Sequence, residues 1–328
     1  MEKQTEGIHD GRPPLVVLTG PTAVGKTAAS ILLAKRIGGE IISADSMQVY
    51  RGMDIGTAKI SRAEMQGVPH HLIDVLDPAQ PFDVVRFQAL AKEAIGEILS
   101  RGKIPILVGG TGFYIQAVLY DIDFSAEETD YALRAQLEEE ARRIGKEALH
   151  EKLAEVDPES ARAIPAGNVK RVIRALEYYQ KNGRPISRHN QEQRQKESFY
   201  RSAYFVLTDE REKIYERIDA RVDEMIADGL VSEVTALRER GFTKEMVSMQ
   251  GIGYRQILDY LDGVCTLEEA ISRVKQETRH FAKRQLTWFR RERDVIWLEK
   301  ASFDTPQALV EHTTDVLAFK GILSPAGK

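Results

Sequence analysis

A chain of 328 residues with 42% hydrophobic and 29% charged residues has the composition of a soluble globular protein, long enough for one α/β domain with an insertion or for two domains. No apolar run approaches the length that spans a bilayer, and the polar stretch Met1 to Arg12 reads as a short tail rather than an export signal, so no membrane partner is expected. The single cysteine, Cys265, excludes an internal disulfide, has no metal-ligand spacing around it and reads as a small buried hydrophobe; cytoplasm is the expected compartment.

Leu15 to Thr19 reads as a buried strand and Lys26 to Ile37 as a helix, and between them stands Gly20-Pro21-Thr22-Ala23-Val24-Gly25-Lys26-Thr27. Strand, glycine-rich turn and helix in that order are the context a phosphate-binding P-loop requires. Its glycines let the backbone curl, its N–H groups and the helix N-terminus face a diphosphate, Lys26 adds a point charge, and the Thr27 hydroxyl can ligate Mg²⁺. The pattern implies a phosphorylated ligand. Glu40 to Ser43 is a second strand, running into Ala44-Asp45-Ser46-Met47-Gln48-Val49-Tyr50. Ligands of open parallel sheets sit beyond the carboxyl ends of the strands, so Asp45 belongs near the P-loop, either as a helix cap or turn former, or as a catalytic carboxylate or metal ligand. Asp54 to Lys59 is a loop and His70 to Val75 a further strand; His70 and His71 lack a third ligand at useful spacing and read as strand-edge or solvent-facing residues.

Phe82 to Ser100 has helical periodicity, with Asp83 as N-cap and Gly102 just past the end. Ile104 to Val108 is a buried strand ending in Gly109-Gly110-Thr111-Gly112, after which Phe113-Tyr114 open a helix. The corresponding strand of a P-loop ATPase would finish in an acidic residue that holds Mg²⁺; glycines here suggest instead a second ligand that approaches the backbone closely, and no guanine-reading Asn-Lys-x-Asp is present. From Asp121 to about Ser198 the pattern is helical (Tyr131 to Ile144, Lys146 to Val156, Val169 to Lys181), broken by Pro158, Pro165 and Pro185 and ending in the polar segment Arg188 to Lys196. Tyr204 to Leu207 restores the sheet, helices follow at Glu210 to Ala227, Val231 to Arg240, after Gly253 and at Leu267 to Arg293, and Val295 to Leu298 and Thr305 to Phe319 give a last strand and helix. The expected fold is α/β, a P-loop NTPase-like doubly wound parallel sheet, with residues 1–120 and 200–328 as core and 121–199 as a helical insertion domain.

A net charge of −4 taken alone argues against a nucleic-acid partner, but its distribution does not. Arg162 to Arg201 holds ten basic residues against three acidic ones, and Arg273 to Arg293 eight against two, both with interleaved aromatics. Either run alone is usually a solvated helix face; two such runs point to a polyanion.

These blocks together, namely the P-loop, Asp45 to Tyr50, Ile55-Gly56-Thr57-Ala58-Lys59, Gly109 to Tyr114, Lys170-Arg171-Val172-Ile173-Arg174-Ala175-Leu176-Glu177 and Gly253-Tyr254-Arg255-Gln256, resemble the bacterial tRNA dimethylallyltransferases. The likeness runs from about Leu15 to Trp297. It implies transfer of a dimethylallyl group from dimethylallyl diphosphate to N6 of adenosine 37, beside the anticodon of tRNA, with Mg²⁺ and release of diphosphate. It further implies that Asp45 is the base, that Thr22 contacts the diphosphate, that Thr27 holds Mg²⁺, and that an arginine, Arg221 in preference to Arg217, helps bind diphosphate. The flipped adenosine would enter a channel opening near Thr111 and lined by Asp45, Ser46, Met47 and Gln48. Lys170, Arg171 and Arg174, with Gln250, Gly253, Tyr254 and Arg255, would grip the anticodon stem-loop, and Arg134 is a further tRNA-contact candidate. Some members of the family carry an arginine and a cysteine where Met249-Gln250-Gly251-Ile252 stands, which weakens the side-chain role of Gln250. The chain is expected to act as a monomer.

The chemistry agrees: alkylating an exocyclic amine with an allylic diphosphate needs a cradle for the leaving group, a base for the amine proton and exclusion of water from a carbocation-like centre. A small-molecule kinase would need no basic insertion, an adenylate isopentenyltransferase would make the basic runs superfluous, and a non-enzymatic RNA binder would leave the P-loop unexplained.

Overall fold

The computed structural model describes residues 11–124 and 131–323; the first ten residues of the expected polar tail lie outside this description. Six strands form one all-parallel sheet: β1 (Pro14–Thr19), β2 (Gly39–Ser43), β3 (His70–His71), β4 (Ile104–Gly109), β5 (Arg201–Thr208) and β6 (Val295–Glu299), in the order β3-β2-β4-β1-β5-β6. The central strands read as continuous apolar runs because both their faces are covered, and Leu15 to Leu18 are fully buried. β1 sits between β4 and β5, with Leu18 opposite Val108 on one side and Phe205 on the other. The chain leaves β1 toward one sheet edge and returns to extend the other, so the P-loop lies where the winding reverses, the place open α/β sheets use for ligands.

Helix α1 (Lys26–Ile37) starts on Gly25 (φ 101°) and stops on Gly38 (φ 65°), both in the left-handed region that favours glycine. No acidic side chain enters its first turn, so its N-terminal N–H groups keep their positive end for a ligand. Helix α2 (Val84–Ser100) is capped by Asp83, which accepts the Arg86 N–H at 2.9 Å. α3 (Gly112–Leu119) follows β4 directly.

By compactness the chain divides into two units, Met1–Leu119 with Phe199–Lys328, and Tyr120–Ser198. The second contains α4 (Tyr131–Ile144), α5 (Lys146–Val156), α6 (Pro158–Ala163), α7 (Val169–Asn182) and α8 (Ile186–Gln195) around a core of Leu137, Leu149, Leu153, Val172, Ile173 and Leu176. The first is completed by α9 (Arg211–Ala227), α10 (Leu230–Glu239), α11 (Tyr254–Leu261), α12 (Leu267–Phe289) and α13 (Pro306–Phe319).

Four local expectations change. The strand expected over His70 to Val75 pairs only at His70 and His71, because Leu72 (φ 62°) and Asp74 (φ 56°) turn the backbone left-handed. The polar segment Arg188 to Lys196 lies largely in helix α8, while α12 ends at Phe289, short of Arg293. Cys265 is half-buried rather than buried. The histidine pair is strand-edge material: His71 Nε2 lies 2.8 Å from Glu40 Oε2, and His70 Nδ1 lies 2.8 Å from the Val68 carbonyl.

Candidate active site and nucleic-acid interface

The P-loop leaves β1 at Thr19 and is held from three directions. Lys26 Nζ donates to the carbonyls of Gly20 (2.9 Å) and Pro21 (2.7 Å), closing the loop on itself. Arg217 of α9 donates through Nε to the Ala23 carbonyl and through its terminal nitrogen to Asp209, both at 2.8 Å. Gln285 of α12 accepts the Thr22 N–H at 2.8 Å and donates to the Gly110 carbonyl at 3.0 Å, tying the loop to the end of β4. Ala23, in the left-handed region at φ 61°, seats its methyl group among Ile214, Ile218 and Ala282 of α9 and α12.

Asp45 follows β2 and faces this loop. Its Oδ1 accepts the N–H groups of Met47 (2.8 Å) and Gln48 (3.3 Å), so the turn-forming reading of this residue is realised. Oδ2 has no hydrogen-bond partner among the described residues, which leaves the basic reading open as well. Burial pushes the Asp45 carboxyl above the usual carboxylate range, against the pull of those two N–H groups and of the Lys26 charge. Lys26 responds in the opposite sense: burial lowers it to about 7, Asp45 pulls it up and Arg221 pushes it down. Arg221 is also lowered, first by burial, with the Glu224 charge pulling it back up and Arg217 adding to the lowering, and its guanidinium makes no hydrogen bond or ion pair among the described residues. Thus Arg217 is committed to Asp209 and the loop backbone, while Arg221 is a desolvated cation near Lys26 with its donors unspent.

Gly109, Gly110 and Gly112 each admit a close approach by the protein itself. A Cβ on Gly109 would stand 2.2 Å from the Ala44 carbonyl oxygen, one on Gly110 2.0 Å from Gln285 Nε2, and one on Gly112 2.2 Å from the Trp288 ring. This close approach brings Thr111 beside Asp45: the Thr111 N–H donates to the Ala44 carbonyl at 3.3 Å.

Ser46, Met47 and Gln48 are half-buried beyond Asp45. Gln48 Oε1 accepts the Ser43 hydroxyl at 3.0 Å, and its Nε2 donates to the carbonyls of Thr57 (3.3 Å) and Ala58 (3.4 Å). Met47 lies against Gly251, where a Cβ would come within 2.7 Å of its methyl carbon. Gly253 (φ 98°) turns the chain into α11. Tyr254 is fully buried and donates to Glu233 at 2.6 Å, and Gly253 is buried beside it, so neither presents surface to a ligand and of the expected Gly253, Tyr254 and Arg255 contacts only Arg255 keeps exposed surface. Arg255 is paired with Glu277, and Gln250 donates to the Lys244 carbonyl. Thr27 is exposed at the mouth of the loop, and its hydroxyl makes no hydrogen bond among the described residues.

The basic run through α12 and the turn that follows it divides in two. Arg273, Lys275 and Arg279 are paired with Asp259, Asp223 and Asp219. Lys283, Arg284, Arg290 and Arg291 have no ion-pair partner among the described residues. Three of these four, Lys283, Arg284 and Arg291, line a groove of about 380 Å³ together with His280, Thr287 and Trp288. Trp288 stacks edge-on to Phe113 (centroids 6.3 Å apart), and its Nε1 is buried without a partner. In the helical unit, Lys170, Arg171 and Arg174 share the exposed side of α7, opposite the buried Val172, Ile173 and Leu176. Arg134 of α4 binds Glu177 of α7 through two nitrogens at 2.7 and 3.0 Å, which makes it a strut of that unit first. Gln285 escaped the sequence reading because an uncharged residue in a basic helix carries no local signal.

The IPP transferase family model matches residues 48–292, and the isopentenyl transferase model matches residues 13–76. The chain belongs to the tRNA dimethylallyltransferase family. It is 57% identical to the tRNA dimethylallyltransferase of Lachnoclostridium phytofermentans over 94% of this chain and 99% of that one, and 49% identical to the Bacillus subtilis protein of the same name over 89% and 92%. Among solved structures, the full-length tRNA isopentenylpyrophosphate transferase of Bacillus halodurans matches with a TM-score of 0.71 at 46% identity, covering 94% of this chain and 97% of that one. A eukaryotic dimethylallyltransferase acting on tRNA matches with a TM-score of 0.80 at 30% identity, covering 96% and 81%. Among the described residues, no helix of this family member is long and apolar enough to cross a membrane.

Proposed function

We propose that this chain transfers the dimethylallyl group of dimethylallyl diphosphate to N6 of adenosine 37 in tRNA, releasing diphosphate. The observation that carries this reading is the juxtaposition of a P-loop with a carboxylate whose second oxygen accepts no hydrogen bond among the described residues and whose proton affinity is raised by burial. A general base works best with a pKa drawn toward the operating pH, and the burial around Asp45 moves its carboxyl in that direction.

The diphosphate binds over the loop N–H groups and the start of α1, with Thr22 at its bridge, and Lys26 turns from the Gly20 and Pro21 carbonyls to a phosphate oxygen. Arg221 supplies the second positive charge. As the bond from the allylic carbon to the diphosphate oxygen breaks, that carbon bonds to N6, an N6 proton passes to Asp45 Oδ2, and the electron pair of the broken bond leaves with diphosphate. Mg²⁺ suits the donor set as an ion carried mainly by the substrate: it is usually held by phosphate oxygens and waters with one or two protein oxygens, and the Thr27 hydroxyl provides one. When bound it supplies charge neutralisation on the leaving group. The base must be extruded from the anticodon loop to reach Asp45, and Asp45 to Gln48 with Thr111 line its end of the channel. Lys170, Arg171 and Arg174, and separately the unpaired cations of α12, supply phosphate contacts for the anticodon stem-loop. The same reading takes the chain as a cytoplasmic monomer.

The test incubates purified protein with dimethylallyl diphosphate, Mg²⁺ and either tRNA or AMP. Prenylated adenosine in tRNA alone is the expected product. Prenylated AMP would make the chain an adenylate isopentenyltransferase, and phosphoryl transfer from ATP would make it a kinase.

A further inference from the structure

Glu233, in the first turn of α10, spends its whole carboxylate on the molecule itself. Oε2 accepts the N–H groups of Asp54 and Ile55, both at 2.8 Å, and Oε1 accepts the Gly56 N–H at 3.1 Å and the Tyr254 hydroxyl at 2.6 Å. An ionised carboxylate has about four acceptor positions, so none is left for a ligand. Three consecutive backbone N–H groups converging on one anion form the kind of nest that usually holds a phosphate; here a side chain fills it.

Two stretches meet at this residue. On one side, the loop it grips runs on to Thr57 and Ala58, whose carbonyls accept the Gln48 amide, and the Gln48 N–H donates to Asp45. Lys59 closes that loop by donating to the Tyr50 carbonyl, Asp54 and Asp74, each at 2.6 Å. On the other side, Tyr254 starts α11 directly after the Gly251 to Gly253 turn, and Gly56 is pressed against its ring, where a Cβ would come within 2.5 Å. Met47 against Gly251 is a second contact between the same two stretches.

We infer that Glu233 is a positioning residue for the prenyl transfer: by holding the Asp54 to Ala58 loop and Tyr254 together, it fixes Gln48 and through it the direction of Asp45. This rests on the proposed function, since the base it orients is the one assigned there. Glu233 touches no reacting atom and lies outside the phosphate grip. Its loss therefore leaves diphosphate binding in place and lowers the rate at which bound substrate reacts.

The experiment compares wild type with Glu233→Gln, which turns one acceptor oxygen into a donor facing other donors, and Tyr254→Phe, which deletes a single O–H. Binding stoichiometry and affinity of inorganic diphosphate are read by calorimetry, and single-turnover prenylation of tRNA is read at saturating enzyme. For Glu233→Gln the expected result is one diphosphate per chain with wild-type affinity, and a single-turnover rate lower by about 10- to 100-fold, the range a misplaced catalytic group produces. Tyr254→Phe shows a smaller loss of the same kind and carries the test if Glu233→Gln does not fold. A residue that served only folding would lower the stoichiometry and leave the rate per binding-competent chain unchanged; that outcome, or wild-type rates in both variants, overturns the inference. Wild type failing to prenylate tRNA would instead overturn the function itself.

Discussion

Asp45→Asn separates the turn-forming role seen at this residue from the base role proposed for it. The amide oxygen of asparagine can still accept the Met47 and Gln48 N–H groups, now at 2.8 and 3.3 Å, so the turn survives, whereas alanine would leave both donors orphaned. What disappears is the proton acceptor. General-base catalysis contributes about 10²- to 10⁴-fold, so the single-turnover rate should fall by that factor, roughly 3 to 5 kcal/mol on the barrier. Affinity for tRNA and for diphosphate should stay near wild type, because neither the loop amides nor Arg221 is touched. The sign for stability is the reverse of the sign for activity. A carboxyl raised by burial binds its proton more tightly folded than unfolded, so its charge destabilises the fold at neutral pH, and that penalty fades as pH falls below the folded pKa. Asp45→Asn should therefore melt no lower than wild type at neutral pH, with any advantage shrinking in acid, and the acid limb of the wild-type pH–rate profile, set above the ordinary carboxylate range, should vanish. Quenched single-turnover assays with filter binding and melting curves measure all three. A wild-type rate in Asp45→Asn with both substrates bound would remove this residue from the chemistry.

The two arginines of α9 should part company: Arg221→Ala weakens inorganic diphosphate by about 10- to 100-fold at an unchanged melting temperature, as loss of a charge-assisted bond to a ligand does. Arg217→Ala lowers stability by about 1 to 3 kcal/mol through the orphaned Asp209, whose side chain is only 6% exposed; equal effects of both on diphosphate affinity would refute the division. Despite its burial, Asp209 is held below the usual carboxylate range by Arg217, so the stability it contributes is present above the unfolded pKa and is lost as pH falls through the folded one. Gly109→Ala places a methyl group 2.2 Å from the Ala44 carbonyl oxygen, and because backbone must move, melting temperature and turnover should drop together; a wild-type rate would mean that Asp45 tolerates the shift. Lys26 is depressed to about 7 without ligand, so diphosphate should raise it and take up protons near neutral pH, visible as a buffer-dependent binding enthalpy; no buffer dependence would show that Lys26 is already fully charged. Neutralising Arg171 and Arg174 should weaken tRNA and flatten its salt dependence, whereas an unchanged slope would leave these side chains on a solvated surface.

The P-loop, the strands that flank it and the position of Asp45 were legible because each is a local constraint: an apolar run, glycines at fixed offsets, a polar residue one step past a strand. The helical insertion was legible for the same reason, since its apolar spacing has one period throughout. What escaped is set by residues far apart in the chain. Nothing near Gln285 announces that its amide spans Thr22 and Gly110, and nothing near Glu233 announces three backbone donors on Asp54 to Gly56. Counting charge along α12 gave a uniform basic helix, but Asp219, Asp223 and Asp259 neutralise its first half, so only the second half presents unpaired charge. The glycines of Gly109 to Gly112 announce a close approach but not by what: the structure puts Ala44, Gln285 and Trp288 there, and a missing Cβ says only that something comes near.

The electrostatics of the unliganded pocket explain why such a site is stable only within a large fold. Lys26 and Arg221 are both half-buried and repel one another, and among the described residues Arg221 makes no hydrogen bond or ion pair and one oxygen of the half-buried Asp45 accepts no hydrogen bond. None of these charges is where folding alone would put it; groups of this kind lower stability and are retained where ligand binding or chemistry uses them. The rest of the sheet offsets the cost with strands buried on both faces, and Gln285, Arg217 and Glu233 hold the surrounding backbone so that the pocket cannot relax by collapsing. On the proposed reading, a diphosphate entering this space meets two half-buried cations already partly desolvated, so less of its binding energy is spent on desolvating them, and the partly water-excluded surroundings strengthen the charge that develops as the allylic bond breaks. The strand end that lacks an acidic residue fits this economy: a carboxylate there would neutralise the cations before the leaving group arrived, whereas Asp45, one strand away, pulls on Lys26 and still keeps an oxygen for the amine.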